Sequence, residues 1–292
     1  MAKIIQWTSN QAIVFDDGKI INAKAYNKLK KESLYVGDDI ELKFDEKNGY
    51  IITKVLKRKN LVIRPNVANI DQAIIVIASS PEPDFFTLDK ILINCNTNHI
   101  DTILIVNKAD INSKDFNENV KNQYEKAVTK LINTSIINKE SIEKIKELLT
   151  NKTSTFVGQS AVGKSSILNL LNINKMQKTN ILANSSGKFK ARGKNTTKAS
   201  QIFNIAENTF IADTPGFSSI DIFDIPPQDL AHYYKDFDGY INCKYSNCTH
   251  LKEKEDCAIY NAFKQGKINK NRYERFLILQ KQIYSRWEHK YD

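Results

Sequence analysis

The spacing of hydrophobic and polar residues changes character twice along the chain. Over residues 1–68, short apolar runs (Ile4-Ile5, Ala12-Ile13-Val14-Phe15, Ile20-Ile21, Asp39-Ile40-Glu41-Leu42, Ile51-Ile52) are cut by turn sequences such as Asp16-Asp17-Gly18 and Lys47-Asn48-Gly49. Short strands at this spacing predict a small β-barrel. Residues 54–64 carry Lys57, Arg58, Lys59 and Arg64 before Pro65, and read as a basic exit strand leading to a linker.

From about 69 to 222 the apolar segments are longer. Those at 72–78, 88–95, 102–106, 154–157 and 210–212 alternate as buried strands and helices, and Ile142, Ile145, Leu148 and Leu149 form one stripe of a helix. This alternation predicts an open, mostly parallel sheet with ligands at the carboxyl ends of its strands. Residues 223–292 differ again. They hold a cysteine cluster and then a helical tract in which Phe276, Leu279, Ile283 and Trp287 recur at helical spacing.

Composition narrows the class. The 292 residues are 41% hydrophobic and 26% charged with ten Gly and six Pro, which favours two or three globular domains over low-complexity sequence. The first residues lack a basic start followed by an apolar core, and the most apolar stretch, 73–78, is strand-sized, so a cytosolic protein without membrane spans is expected. The formal net charge of +10 favours an anionic partner, or else a solvated lysine-rich surface.

Three motifs supply the chemistry. Gly158-Gln159-Ser160-Ala161-Val162-Gly163-Lys164-Ser165 matches G-x-x-x-x-G-K-S. In such a loop backbone N–H groups wrap the phosphates, here through Ser166, while Lys164 reaches the outer phosphates and the Ser165 hydroxyl holds Mg²⁺. It follows an apolar strand and precedes a helix expected to begin near Ser166, whose positive end completes the cradle. Asn107-Lys108-Ala109-Asp110 selects guanine, because a carboxylate there accepts two hydrogen bonds that adenine cannot offer. Asp213-Thr214-Pro215-Gly216 follows an apolar strand and suits a carboxylate near Mg²⁺ and a Gly N–H at the γ-phosphate.

Between the phosphate loop and Asp213, Thr197, with Thr196 as the alternative, is the Thr expected on Mg²⁺. Phe217 stands where many GTPases carry the Gln that orients water, so slow turnover that rises when a partner completes the site is expected. In ordinary GTPases the phosphate loop comes first and Asn-Lys-x-Asp last. Here that order is permuted.

Cys243, Cys248, His250 and Cys257 offer three thiolates and an imidazole, the donor set of a closed, structural zinc site with one ion per chain. Cys95 lies on an apolar helix face and reads as a packed core residue.

These motifs in this order, with Arg64-Pro65 and Ala68-Asn69-Ile70-Asp71-Gln72 ahead of them, resemble the RsgA family of circularly permuted ribosome-assembly GTPases, and the resemblance covers nearly the whole chain. It implies an N-terminal OB-type barrel that binds RNA (1–68), a permuted P-loop GTPase core (69–222) and a mainly helical zinc domain (223–292). It also implies late maturation of the small ribosomal subunit, with GTP hydrolysis stimulated by that subunit.

Three positions depart from the family pattern. Asn195 replaces a His before the Thr-Thr pair, and Asn cannot act as a general base near neutral pH. Either Asn195 only orients water, or another residue acts on it and Asn195 merely shapes its loop. Ala161 replaces a loop Gly, which is tolerable if φ stays negative there. The family's Ser-Ala pair near guanine corresponds to Ser135-Ile136.

The tail adds Lys264, Lys267, Lys270, Arg272, Arg275, Lys281, Arg286 and Lys290 against Glu274, Glu288 and Asp292, interleaved with Tyr273, Tyr284, Trp287 and Tyr291. A basic face meeting rRNA phosphates is expected, with the barrel loops as a second contact. The expected protein is a monomeric GTP/GDP-binding hydrolase of the small subunit. The alternatives are a GTPase of large-subunit assembly, and an RNA-binding checkpoint factor that uses GTP mainly as a ligand.

Overall fold

A computed structural model describes residues 2–7, 11–25, 34–63, 66–171, 200–213, 222, 224–251 and 256–288. The N-terminal runs become β1 (Ala2–Trp7), β2 (Ala12–Asp16), β3 (Lys19–Ala25), β4 (Asp39–Asp45) and β5 (Gly49–Val55), which close into a barrel in the order β1-β2-β3-β5-β4. Ile4, Val14, Ala23, Ile40 and Ile52 fill its interior. Side chains alternate along a strand, so Ile5 and Ile13 point the other way, into a cluster shared with Ile202 and Phe210 of the central sheet. Consecutive apolar residues in β1 and β2 therefore mark strands buried on both faces. Phe15 seals the contact edge-to-face on Phe210, with ring centroids 5.5 Å apart.

The expected basic exit strand is not one. After β5 the chain leaves regular structure until the short pair β6 (Leu61–Ile63) and β7 (Asn66–Ala68). Two of its cations are used internally. Arg58 forks onto buried Asp38 at 2.6 and 2.9 Å, and Lys59 reaches Asp71 at 2.7 Å. A forked arginine in a partly dry site is held by geometry as well as charge. Asn69 then joins barrel to core, donating to Gly37 O at 2.9 Å and accepting from Lys59 N at 2.8 Å.

The central sheet has the order β10-β9-β8-β11-β13-β12. Its strands are β8 (Gln72–Ile77), β9 (Asp101–Val106), β10 (Lys130–Asn133), β11 (Thr153–Val157), β12 (Gln201–Ala206) and β13 (Thr209–Asp213). All neighbours run parallel except β12 against β13, an antiparallel edge. β8 is buried throughout, as its run Ala-Ile-Ile-Val-Ile requires of a strand covered on both faces. Its one polar residue, Gln72, is satisfied by Leu148 O at 2.7 Å and Ser154 Oγ at 2.9 Å.

Helices α1 (Phe85–Thr97), α2 (Lys114–Tyr124) and α3 (Lys139–Leu149) start at side-chain caps. Asp84 accepts from Phe86 N and Thr87 N, Ser113 from Phe116 N, and Asn138 from Glu140 N. The predicted stripe of α3 is the buried one, with Ile142, Ile145 and Leu149 packed under the sheet.

C-terminal to the sheet come two 3₁₀ turns (Pro227–Tyr233 and Lys235–Phe237), α5 (Ala258–Lys264) and α6 (Lys270–Glu288). Phe276, Leu279 and Ile283 of α6 are buried, with Trp287 packed alongside, and the cluster takes in Ile93 and Phe86 of α1. At its edge lies a polar knot. Asp89 of α1, fully buried, accepts from Arg272 Nη1 at 2.5 Å, Arg275 Nε at 2.7 Å and Tyr124 OH at 2.7 Å. Arg272 also forks onto Asp236 at 2.7 and 2.9 Å. Burial works against the guanidinium, but Asp89 and Asp236 overcome it and keep its pKa well above the ordinary value. Two of the arginines expected on a basic outer face are thus taken inward.

Removing one partner of such a buried group leaves an uncompensated charge. Arg272→Ala is expected to lower unfolding free energy by about 3–5 kcal/mol. Lys121→Ala, which removes an exposed pair with Glu125 at 3.8 Å, should cost below about 0.5 kcal/mol. Urea unfolding of the two variants checks the contrast.

Candidate nucleotide site and metal centre

Because β8, β9, β10, β11 and β13 run parallel, their carboxyl ends share one edge of the sheet. Asn107 to Asp110 leave β9, Thr134 and Ser135 leave β10, the loop from Gly158 leaves β11, and Asp213 ends β13. The sequence motifs therefore converge although more than a hundred residues separate the outermost of them. This is where open α/β sheets bind ligands.

The segment Asn107 to Asp110 is held at each residue. Asn107 is buried, and its side chain donates from Nδ2 to Val162 O at 2.9 Å while Oδ1 accepts from Thr134 Oγ1 at 3.2 Å. Ala109 N donates to Thr134 O at 2.9 Å. Lys108 takes a left-handed φ of +59° and sends Nζ to Ser80 O at 2.7 Å. Ser135 Oγ donates to Asp110 Oδ1 at 2.5 Å. An ionised carboxylate has about four acceptor positions, so Ser135 fixes one oxygen and leaves the rest facing out. The structure thus brings Ser135 onto Asp110. Sequence reasoning missed Thr134 and the Asn107–Val162 link, because nothing local marks a contact that spans so much chain.

The loop after β11 approaches the sheet closely. A Cβ on Gly158 would lie 2.2 Å from Val76 O, and one on Gly163 would lie 2.3 Å from Asn107 Nδ2. Glycine at 163 is also required by a φ of +100°. Helix α4 (Lys164–Leu170) begins there, two residues earlier than expected. Unlike α1 to α3 it has no side-chain cap, so its first N–H groups are left for a ligand. Lys164 folds back with Nζ 2.5 Å from both Gly158 O and Gln159 O, and partial burial pulls its pKa below the ordinary value.

Ala161 corrects the sequence expectation. Its φ is +64°, not negative. Alanine bears a strain in this left-handed conformation of about 1–2 kcal/mol that glycine would not.

Ser165 stands at the start of α4, and Asp213 is exposed at the end of β13. Asn195, Thr196, Thr197 and Gly216 lie outside the described residues.

In the tail, Cys243, Cys248, His250 and Cys257 bring their donor atoms within 4.8 Å of one another. His250 Nδ1 is 3.5 Å from Cys243 Sγ and from Cys257 Sγ, and the two sulfurs are 4.0 Å apart. A tetrahedral zinc with bonds of about 2.3 Å to sulfur has sulfur–sulfur edges of about 3.8 Å, so the residues fit the ion. Ala258 N and Tyr260 N point at Cys243 Sγ and Cys257 Sγ, as suits thiolates. Burial pushes the Cys257 thiol up to about 12 and the His250 imidazole down to about 4, so the imidazole lone pair is free at neutral pH. The cluster could hold a zinc ion, and its four ligands leave no open position. Cys95 is a buried core residue and not a member of that cluster, its thiol also raised to about 12 by burial. Among the described residues no helix is long and apolar enough to cross a membrane.

A phosphate loop that follows its base-reading motif on one parallel sheet defines a circularly permuted P-loop GTPase. The RsgA GTPase family profile matches residues 55–223, and the chain belongs to that family. It is 35% identical to the "Small ribosomal subunit biogenesis GTPase RsgA" of Caldanaerobacter subterraneus subsp. tengcongensis, over 99% of this chain and 97% of the relative. It is 36% identical to the protein of the same name from Thermotoga maritima, over 94% and 93%. The crystal structure of YjeQ from Thermotoga maritima superposes with a TM-score of 0.81 at 33% identity, covering 97% of this chain and 98% of that one. YloQ, described as a circularly permuted GTPase, gives 0.79 at 26% identity over 98% and 95%.

Gly163→Ala would drive a methyl group into Asn107 at a forbidden φ, and should weaken GDP binding at least about tenfold as the Asn107–Val162 bond is lost. Titration with a fluorescent GDP analogue reads this directly. Metal analysis should find one zinc per chain, lost on Cys243→Ser. Iodoacetamide should leave Cys95 unmodified in the folded protein, because a buried thiol near pKa 12 carries almost no thiolate.

Proposed function

We propose that the chain hydrolyses GTP during maturation of the small ribosomal subunit, slowly alone and faster on that subunit. The observation that carries this is the Asn107–Val162 hydrogen bond, which makes base reader and phosphate cradle one unit. The names of the relatives, small ribosomal subunit biogenesis GTPases, suggest the target.

In this reading Asn107, Lys108, Asp110 and Ser135 hold guanine. Residues 158–166 wrap the phosphates, with Lys164 turning from its loop carbonyls to the outer phosphates. Ser165, Asp213 and Thr197 would hold Mg²⁺, which supplies charge neutralisation at the phosphate oxygens. Gly216 N–H meets the γ-phosphate, and Asn195 orients water without abstracting its proton. No general base is needed where positioning and charge stabilisation supply the rate. That economy makes turnover depend on a partner.

We assign rRNA contact to the barrel and the zinc-bearing tail, within units at 1–68, 69–222 and 223–292. The β4–β5 hairpin exposes Phe44 and Tyr50 as a ring pair 5.2 Å apart, flanked by Lys43 and Lys47, and the zinc loop exposes Lys244 and Tyr245. Exposed rings beside lysines suit unstacked bases and phosphates. Zinc holds the tail's fold, and the protein acts as a cytoplasmic monomer.

GTP turnover measured alone and with purified small or large subunits tests the proposal. The expected result is stimulation by the small subunit only. Stimulation by the large subunit would redirect the function, and RNA binding without stimulated turnover by either would favour the checkpoint reading.

A further inference from the structure

Asn112 lies two residues beyond Asp110 and belongs to none of the motifs. Its half-buried side chain reaches back in two directions: Nδ2 donates to Asn107 O at 2.8 Å, and Oδ1 accepts from Ser79 N at 3.2 Å. It therefore bridges the chain leaving β9 to the chain leaving β8. The main chain places it there, because Ile111 N and Asn112 N both donate to Lys108 O, at 3.0 and 3.1 Å, in a tight turn around the left-handed Lys108. The residue after Ser79 is Ser80, whose carbonyl takes the Lys108 ammonium at 2.7 Å. Fixing Ser79 thus fixes the anchor for Lys108.

We propose that Asn112 is a positioning residue for base selectivity, clamping the β8 and β9 loops so that the Lys108 stem and the Asp110 carboxylate are preset around the guanine. The inference rests on the reading of residues 107–110 as the base site. A lysine without a fixed anchor samples many rotamers and loses that freedom on binding, so presetting it strengthens only ligands that carry the base. Both side-chain bonds of Asn112 end on the β8 and β9 loops, and the link to the phosphate loop is made by a different atom of Asn107, its Nδ2 on Val162 O.

Calorimetric titration of GDP, ADP and pyrophosphate with the full chain, its Asn112→Ala variant and its Asn112→Asp variant tests this, alongside melting temperature and GTP kinetics. Asn112→Ala should weaken GDP about tenfold, the size expected when one long side chain regains its rotamer freedom and must lose it again on binding. Pyrophosphate affinity and kcat should stay unchanged while KM for GTP rises. Asn112→Asp keeps the acceptor for Ser79 N but sets a carboxylate against Asn107 O, and should lose as much or more. Equal weakening of GDP and pyrophosphate, or unchanged GDP binding in both variants, would overturn the role of Asn112. A parent chain that binds ADP as tightly as GDP would instead remove the base-site reading itself, and this inference with it.

Discussion

The buried carboxylate of Asp89 is the constraint on which the arrangement of the molecule depends. It sits on α1 with no exposure and accepts hydrogen bonds from α6 and from α2, so one charge holds the tail, the core and the helix between them. A lone carboxylate at this depth would be expelled or neutralised. Two guanidinium groups and a phenol make it tolerable, and none of the three can leave without exposing the others. The apolar contacts of Phe276 and Leu279 bring α6 against α1, while the ion cluster fixes the register. The tail is therefore not a loose appendage of the enzyme. Helix α1 also begins just after the loop that carries Ser80, so one helix runs from the anchor of Lys108 to the tail that holds the Cys/His cluster.

At the site, the same logic of shared partners operates on a smaller scale. Asn107 serves the phosphate loop, Ser135 serves Asp110, and Ser80 serves Lys108. Each supporting group is supplied by a different strand end. Such second partners hold the Lys108 and Asp110 side chains in one arrangement, which lowers the entropy they would lose in binding a ligand.

Much of this was legible in the chain. Motif order disclosed the permutation, the apolar run of β8 announced a central strand, and the spacing of Ile142, Ile145 and Leu149 gave the buried face of α3. The donor set at Cys243, Cys248, His250 and Cys257 proved able to gather in space. What was not legible depended on partners remote in sequence. Arg272 and Arg275 looked like surface cations because Asp89, their reason for being buried, lies more than 180 residues away. Arg58 looked like part of a basic strand until Asp38 neutralised it. The sign of φ at Ala161 is not legible in the sequence because it is set by the loop's path and not by the residue. Ser135 could be matched to a family pattern, but only geometry shows its hydroxyl on Asp110.

The strand order carries a consequence for how the chain assembles. Synthesis delivers β8, then β9 and β10, which stack outward along one side of it. β11 follows and adds to the opposite side of β8, and β12 with β13 then docks as a ready hairpin against β11. At no stage must a strand wedge between two that are already joined. Growth from the N-terminus is thus compatible with the final sheet at every length of emerging chain, a property that matters because half-built sheets with open seams are where misfolding begins. The permutation, whatever it does for the nucleotide, leaves a polypeptide that can be completed in the order in which it is made.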